Sequence, residues 1–373
     1  PDQFGISQAN FHRQQADRQR NWPFSILTTS THDTKRSEDV RLRIDVLSEI
    51  PQEWRQALGR WTRFNKKHKK TVEGQLAPSR NEEYFLYQTL LGVWPFEENL
   101  GKAALQELTG RVQEYMRKAM NEAKVNSSWV NPNEPYQQAV AEFIAEILTP
   151  GEGNRFLPEF MALQKKVAHF GALNSLSQAL IKITSPGVPD FYQGNELWDF
   201  SLVDPDNRRP VDYKLRQRLL TQVEKVEDAG GAAELLENKA DGRVKLFVTS
   251  RALNFRRQNH KLFYKGNYNP LEVQGVRPES VLAFARTLQQ EQALVVAPVH
   301  YTGLSKNADP AAPVTGAAWA NGWLVVPGVE AGQRYRNLLT GEELLVKEQN
   351  GTLGLALDEI LAGFPVALLE KLS

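Results

Sequence analysis

The sequence predicts an α/β chain that passes into an all-β C-terminal domain, and three observations predict it. Short apolar runs end in polar or Pro/Gly groups near residues 24–33 and 179–189. Between them, apolar residues recur at spacings of three and four over several helix lengths. From about residue 270 onward the pattern shortens to separate strands.

The elements follow in order. Phe24 to Asp33 reads as a buried strand with a polar C-terminal tip. Ser37 is placed to cap the next helix, Glu38 and Asp39 favour its positive end, and Val40, Ile44 and Leu47 fall on one face. Three further stripes are Leu105, Leu108, Val112, Tyr115 and Ala119; then Val140, Phe143, Ile144 and Ile147; then Phe160, Leu163, Val167 and Phe170. Breaks at 131–133 and 149–151 separate them. Ala179 to Thr184 reads as a second short strand, stopped by the segment Ser185 to Pro189. Residues 210–230 read as helix, and 294–299, 323–326 and 366–369 as strands, with Thr340-Gly341 as a hairpin turn.

Composition narrows the function classes. The chain has 373 residues, 41% hydrophobic and 24% charged, which suits a globular protein of two or three domains. There is no cysteine, so disulfides and thiolate metal sites are excluded, and the six histidines show no metal-ligand spacing. A net charge of +1 gives no general pull toward nucleic acid or membrane. No apolar run approaches the roughly 20 residues that span a bilayer, and the first twenty residues are too polar for a signal peptide. The expected location is the cytoplasm.

Two segments carry chemistry. Ser30 to Asp39 places His32 and Asp33 at a strand tip, where a carboxylate can accept hydrogen bonds from sugar hydroxyls. Read locally, it is equally a capping Asp before a solvated helix start. Gly187 to Glu196, with Tyr192, and Asp204 to Pro210, with Asp204 and Arg208, combine rigid loops, aromatic surface and hydroxyl-binding charge. Local sequence also fits a Pro/Gly turn with surface ion pairs. Lys66 to Lys70 reads as a solvated helix end rather than a nucleic-acid patch. Arg43-Ile44-Asp45 lies inside an amphipathic helix, which argues against a nucleophile there.

At these residues the chain resembles a known family. Thr31-His32-Asp33 is similar to the motif after barrel strand seven of α-amylase-type enzymes, which carries their third catalytic carboxylate. Gly187 to Glu196 resembles their strand-eight motif. The extension through Arg41, with Ala77 to Tyr84, Tyr87 to Pro95, Lys124 to Trp129 and Ser201 to Pro210, resembles the maltooligosyl trehalose synthase family. The resemblance runs along the whole chain, most specifically over 24–213.

It implies the end of a (β/α)8 barrel, strands seven and eight, with a large helical insertion and a C-terminal all-β sandwich. The implied division is 1–37 for the end of the barrel through strand seven and 38–165 for the insertion. Strand eight and the final helix fall in 166–240, and a linker helix with the sandwich in 241–373. The implied activity is that of a (1→4)-α-D-glucan 1-α-D-glucosylmutase. This is an intramolecular transfer that converts the reducing-end α-1,4 bond of a malto-oligosaccharide to α,α-1,1, with net retention and no cofactor or metal. Asp33 would be the third carboxylate and His32 would bind the same ring. Lys35 and Arg36 would face the reducing-end glucose, and Tyr192, Trp198, Asp204 and Arg208 would contact substrate.

The sequence departs from the family pattern in one respect. The family's nucleophile and general acid precede the Asp33 motif, and the residues before Asp33 hold no strand–Gly-x-Arg-x-Asp pattern. The chain is therefore expected to be a C-terminal fragment, inactive alone, with the N-terminal part of the same enzyme as its partner. Its open sheet edges are expected to seek a pairing chain. The rival expectations are a non-catalytic α-glucan-binding module using the sandwich or the Tyr192 and Trp198 loop, or a related amylase-type hydrolase.

Overall fold

The computed structural model describes residues 5–97, 100–275, 277–304 and 314–372. In chain order come α1 (Gln8–Asn21), β1 (Ile26–Leu27), α2 (Glu38–Glu49) and α3 (Pro51–Asn65). A hairpin of β2 (Lys70–Val72) and β3 (Gln75–Ala77) leads to α4 (Arg80–Val93), α5 (Lys102–Ala123), α6 (Glu134–Leu148) and α7 (Phe156–Thr184). Then come β4 (Val188–Pro189), α8 (Tyr213–Val223), α9 (Ala229–Glu237), α10 (Arg243–Gln258) and α11 (His260–Lys265). The β region holds β5 (Asn267–Pro270), β6 (Val273–Gln274), β7 (Val281–Leu288), β8 (Glu291–Pro298) and β9 (Trp323–Val325). It ends with β10 (Arg334–Asn337), β11 (Glu343–Leu345), β12 (Lys347–Gln349), β13 (Thr352–Ala356), α12 (Leu357–Ile360) and β14 (Ala367–Lys371). Among the described residues no helix is long and apolar enough to cross a membrane.

Two compact units emerge: a helical one of His32–Gly171 with Asp199–Arg209, and a mixed one of Pro1–Thr31, Ala172–Trp198 and Pro210–Ser373. In the helical unit the 3,4-spaced residues face the core. Leu108, Val112 and Tyr115 of α5, all four stripe residues of α6, and Phe160, Leu163, Val167 and Phe170 of α7 are buried. Trp61 is fully buried, with ring centroids of Trp54, Tyr87 and Phe156 at 5.7, 5.4 and 5.3 Å. Ser79 and Glu82 form a reciprocal capping box at the start of α4. The Lys66 to Lys70 segment is only partly the solvated helix end expected. Lys69 turns inward and pairs at 2.7 Å with buried Glu83, which accepts a hydrogen bond from the Tyr87 hydroxyl.

In the mixed unit, β1 and β4 form a two-stranded parallel sheet, Ile26 opposite Val188 and Leu27 opposite Pro189. Two expectations fail here. The 24–33 segment is not a buried strand: β1 has two residues, and Ile26 is 70% exposed because one partner strand leaves its faces uncovered. Residues 179–184 are not a strand but the last turns of α7. Leu173, Leu176, Leu180 and Ile183 continue the helical stripe and are buried, and a short apolar run cannot reveal its period on its own. The end of α7 is held by two buried arginines. Arg256 donates to the carbonyls of Ile183 and Gly187 at 2.6 and 2.5 Å, and Arg286 to that of Thr184 at 3.0 Å. They occupy carbonyls that a helix C-terminus leaves unsatisfied.

The β region contains the three strands expected from the sequence, with further strands and the short helix α12 among them. Antiparallel strands make one sheet of order β11-β10-β14-β8-β7-β5 and another of order β12-β13-β9-β6. The expected strands are β8, β9 and β14, and Thr340-Gly341 turns the chain between β10 and β11.

Gly187 is where the parallel pair is most exposed to sequence change. Its φ is +120°, and a Cβ there would lie 2.7 Å from Leu27 Cγ and 2.8 Å from the Ser25 carbonyl oxygen. Gly187→Ala should cost roughly 1–3 kcal/mol. It should also speed hydrogen exchange at the Val188 and Asp190 amides, which bond Ser25 and Leu27. A melting temperature and exchange rates equal to those of the parent chain would contradict this.

Candidate functional site

The segment from His32 to Asp39 takes its shape from a second segment, Asp199–Arg209. An isolated antiparallel bridge joins Arg36 to Leu202, and the Ser37 N–H donates to the Ser201 carbonyl at 3.0 Å. Ser37 occupies the N-cap of α2 as expected, but its hydroxyl makes no cap and donates instead to the Asp199 carbonyl. The Asp199 N–H donates to Asp39 at 2.8 Å, and the Asn207 amide to the His32 carbonyl at 2.9 Å. His32 and Asp33 are thereby presented outward. Their side chains are 52% and 87% exposed, with Nε2 of His32 3.3 Å from Asp33 Oδ2.

Beyond Asp33 the cations turn toward the helices. Lys35 pairs with Glu122 at 2.7 Å. Arg36 donates to Thr89 Oγ1 at 2.8 Å and lies 4.4 Å from the Phe85 ring. Burial raises the Tyr115 hydroxyl pKa, against the opposing pull of Arg36. Lys35, Arg36, Phe85, Tyr115 and Glu122, with Arg41 and Lys118, line a cavity of about 480 Å³. Its charged lining residues are Lys35, Arg36, Arg41 and Lys118 with the one carboxylate of Glu122, among Phe85, Tyr115, Ala119 and Val203.

The Asp199–Arg209 segment is fastened by Asp206. The Asp206 carboxylate accepts both Nε and Nη2 of Arg111, at 2.9 and 2.8 Å, and the Leu202 N–H at 2.8 Å. Arg209 Nε stands 3.2 Å away, and Arg111 also donates to the Phe200 carbonyl at 2.8 Å. Burial acts to raise the Asp206 pKa. The Arg111 hydrogen bonds and charge, the Leu202 N–H and Arg209 outweigh it, so the carboxyl stays below its ordinary range.

The residues singled out from sequence fall in different places. His32, Asp33, Lys35, Arg36, Asp204 and Arg208 belong to the helical unit, Tyr192 and Trp198 to the mixed one. Asp204 and Arg208 pair with each other at 3.0 Å, and the Asp204 carbonyl accepts from Lys118 at 2.7 Å. Trp198 is half-buried. Its indole N–H donates to the Lys239 carbonyl at 2.5 Å, and Lys245 Nζ lies 5.8 Å from the ring. It is therefore tied into the fold rather than presented as a free platform. Asp206, Arg111 and Lys118 were missed from sequence. Their signal was weak: Arg111 and Lys118 are polar positions of an amphipathic helix, and their partners lie some 90 residues away.

No family model matches the chain. Over 289 residues it is 38% identical to a Mycobacterium tuberculosis (strain H37Rv) protein named as a maltooligosyl trehalose synthase, a match that takes in 77% of this chain and 33% of that one. The structure of maltooligosyltrehalose synthase from Arthrobacter ramosus shares 30% identity and a TM-score of 0.77, covering 99% of this chain and 41% of that one. A crystal structure of a maltooligosyl trehalose synthase shares 31% identity and a TM-score of 0.74, covering 99% and 42%. The chain spans about a third of the length of the curated relatives it matches, in their C-terminal third.

A carboxylate held below its ordinary pKa stabilises the fold above the unfolded-state value, and that contribution is lost as pH falls through the folded value. Asp206→Asn should therefore cost roughly 1–3 kcal/mol at neutral pH. It should also flatten the loss of stability below about pH 4. Urea unfolding of both chains from pH 7 to pH 2.5 checks this; parallel stability curves would refute it.

Proposed function

We propose that this chain, a homologue of the C-terminal part of maltooligosyl trehalose synthases, supplies the Asp33 carboxylate of a sugar-transfer site. The transfer converts the reducing-end α-1,4 bond of a malto-oligosaccharide to α,α-1,1. The observation that carries this reading is structural similarity across 99% of the chain, with His32 and Asp33 of the Thr31-His32-Asp33 motif standing exposed.

The chemistry needs three kinds of group. A retaining transfer uses a nucleophilic carboxylate and a carboxylic acid about 5–5.5 Å apart, and its oxocarbenium-like transition state gains from hydrogen bonds at the neighbouring hydroxyls. Asp33 would accept hydrogen bonds from ring hydroxyls and hold the ring distorted, with His32 beside it on the same ring. Lys35 and Arg36 would face the reducing-end glucose as it turns over, and Arg208 would contact substrate. Water must be kept from the intermediate, or transfer becomes hydrolysis.

The nucleophile and the acid would come from the remaining part of a longer enzyme, in which β1 and β4 are strands seven and eight of a (β/α)8 barrel and the β region is its sandwich. The exposed apolar side chains of the mixed unit support that placement. Parallel sheets are ordinarily covered on both faces, yet Trp22, Phe24, Ile26 and Val188 are all exposed beside this one.

The test is loss of reducing ends from maltohexaose. The 373-residue chain alone should be inactive, and the chain joined to the N-terminal part of a relative should be active. In the joined enzyme, Asp33→Asn should lower kcat by about a thousandfold or more, as expected for one member of a cooperating set. Activity in the chain alone, or full activity of the Asp33→Asn enzyme, would remove this assignment.

A further inference from the structure

The helical unit also contains a cavity of about 600 Å³ formed by α5, Trp129 and the 202–209 stretch. That is the size of a small-molecule site. His32 and Asp33 do not line it. Gly110, Tyr115, Leu202, Val203 and Pro205 give it an apolar lining. Trp129, which also lines it, is 53% exposed, with the Arg117 guanidinium 5.6 Å from its ring.

The charges around the cavity decide what it suits. Arg111, Arg117, Lys118 and Arg209 face Glu114, Asp204 and Asp206. Most are paired: Arg111 and Arg209 lie on Asp206 and Arg117 on Glu114 at 2.8 Å, the Asp204 carboxylate is held by Arg208, and Lys118 donates to the Asp204 carbonyl, which leaves one cation in excess of the lining carboxylates. Little net charge is left to attract a phosphate or sulfate. A pyranose ring fits better. Its C–H face can lie on an indole, and its hydroxyls can both donate to carboxylates and accept from guanidinium groups.

We infer that this cavity, which His32 and Asp33 do not line and which shares Tyr115, Lys118 and Val203 with the cavity beside Lys35 and Arg36, binds a neutral oligosaccharide stacked on Trp129. Only the identity of the sugar, an α-glucan, rests on the proposed function. Such a site would hold a second stretch of the substrate chain, or a second chain, on α5 and the 202–209 stretch.

Isothermal titration of the 373-residue chain with maltoheptaose, and with dextran sulfate as the anionic comparison, tests it. Two variants block the cavity in different ways. Trp129→Ala removes the stacking surface from an exposed position. Gly110→Trp fills the space: a Cβ on Gly110 meets no atom within 4 Å, and replacing a glycine inside α5 does not weaken the helix. Saturable maltoheptaose binding, weakened at least tenfold in both variants while their melting temperatures hold, is expected. Unchanged binding in both variants, no saturable binding by the parent chain, or preference for dextran sulfate would overturn it. The transfer reading fails separately. If the joined enzyme forms no new non-reducing ends while both variants lose maltoheptaose, the cavity stands and the transfer falls. If the joined enzyme is active but the chain binds no maltoheptaose, the reverse holds.

Discussion

A segment with almost no backbone ladder of its own, Asp199–Arg209, is held in place by the carboxylate of Asp206, and the placement of His32 and Asp33 follows from it. Its regular structure is one bridge at Leu202 and a single 3-10 turn at Asp206–Arg208. Side chains supply what a sheet would otherwise provide. Arg111 grips Asp206 with two nitrogens and Phe200 through its carbonyl, and a bidentate guanidinium fixes direction as well as distance. Leu202 and Val203 are then buried, each worth roughly 1.5–3 kcal/mol. Only with that segment anchored can Ser201, Asp199 and Asn207 meet the backbone and side chains of residues 32–39.

A buried arginine secures the other side of the same segment. Arg43 is 1% exposed, donates to the carbonyls of Gly92 and Trp94, and has its guanidinium carbon 3.6 Å from the Phe200 ring centroid. Burial lowers its pKa to about 9, with Asp39 pulling the other way, so it stays charged at neutral pH. A charge kept in such a place must have its partners, because removing one costs roughly 3–5 kcal/mol. Gly171 records how tightly the site is closed: a Cβ there would stand 2.5 Å from Arg43 Cγ. The Arg-x-Asp pattern at residues 43–45 is thus explained by packing within a helix.

What the sequence disclosed depended on how local the cause was. The stripes of α5, α6 and α7, the strands β8, β9 and β14, and the turn at Thr340-Gly341 are set by periodicity and turn chemistry within a dozen residues. The strand expected at 179–184 failed because a six-residue, largely apolar run carries no period on its own, whereas it does once the preceding Leu173 and Leu176 are counted with it. The buried strand expected at 24–33 failed because burial depends on neighbours that a run of residues cannot announce. At the candidate site, His32 and Asp33 stood out through a motif. Asp206 and Arg111 did not, since a salt bridge across 95 positions leaves no local signature.

The same habit of pairing shapes what the helical unit can recognise. Lys35 with Glu122, Arg60 with Glu159 and Lys70 with Glu142 are exposed pairs, each worth about 0–1 kcal/mol to stability. Their larger effect is on the field. With cations and carboxylates interleaved and a net charge of +1 over the chain, the surface has little long-range attraction for anionic polymers. Recognition is then left to short-range contacts that need both donors and acceptors beside an apolar face. Trp129 beside Glu114 and Arg117 supplies that combination. A polyhydroxylated neutral ligand, apolar on its ring faces and polar around its edge, is the class of molecule that uses both.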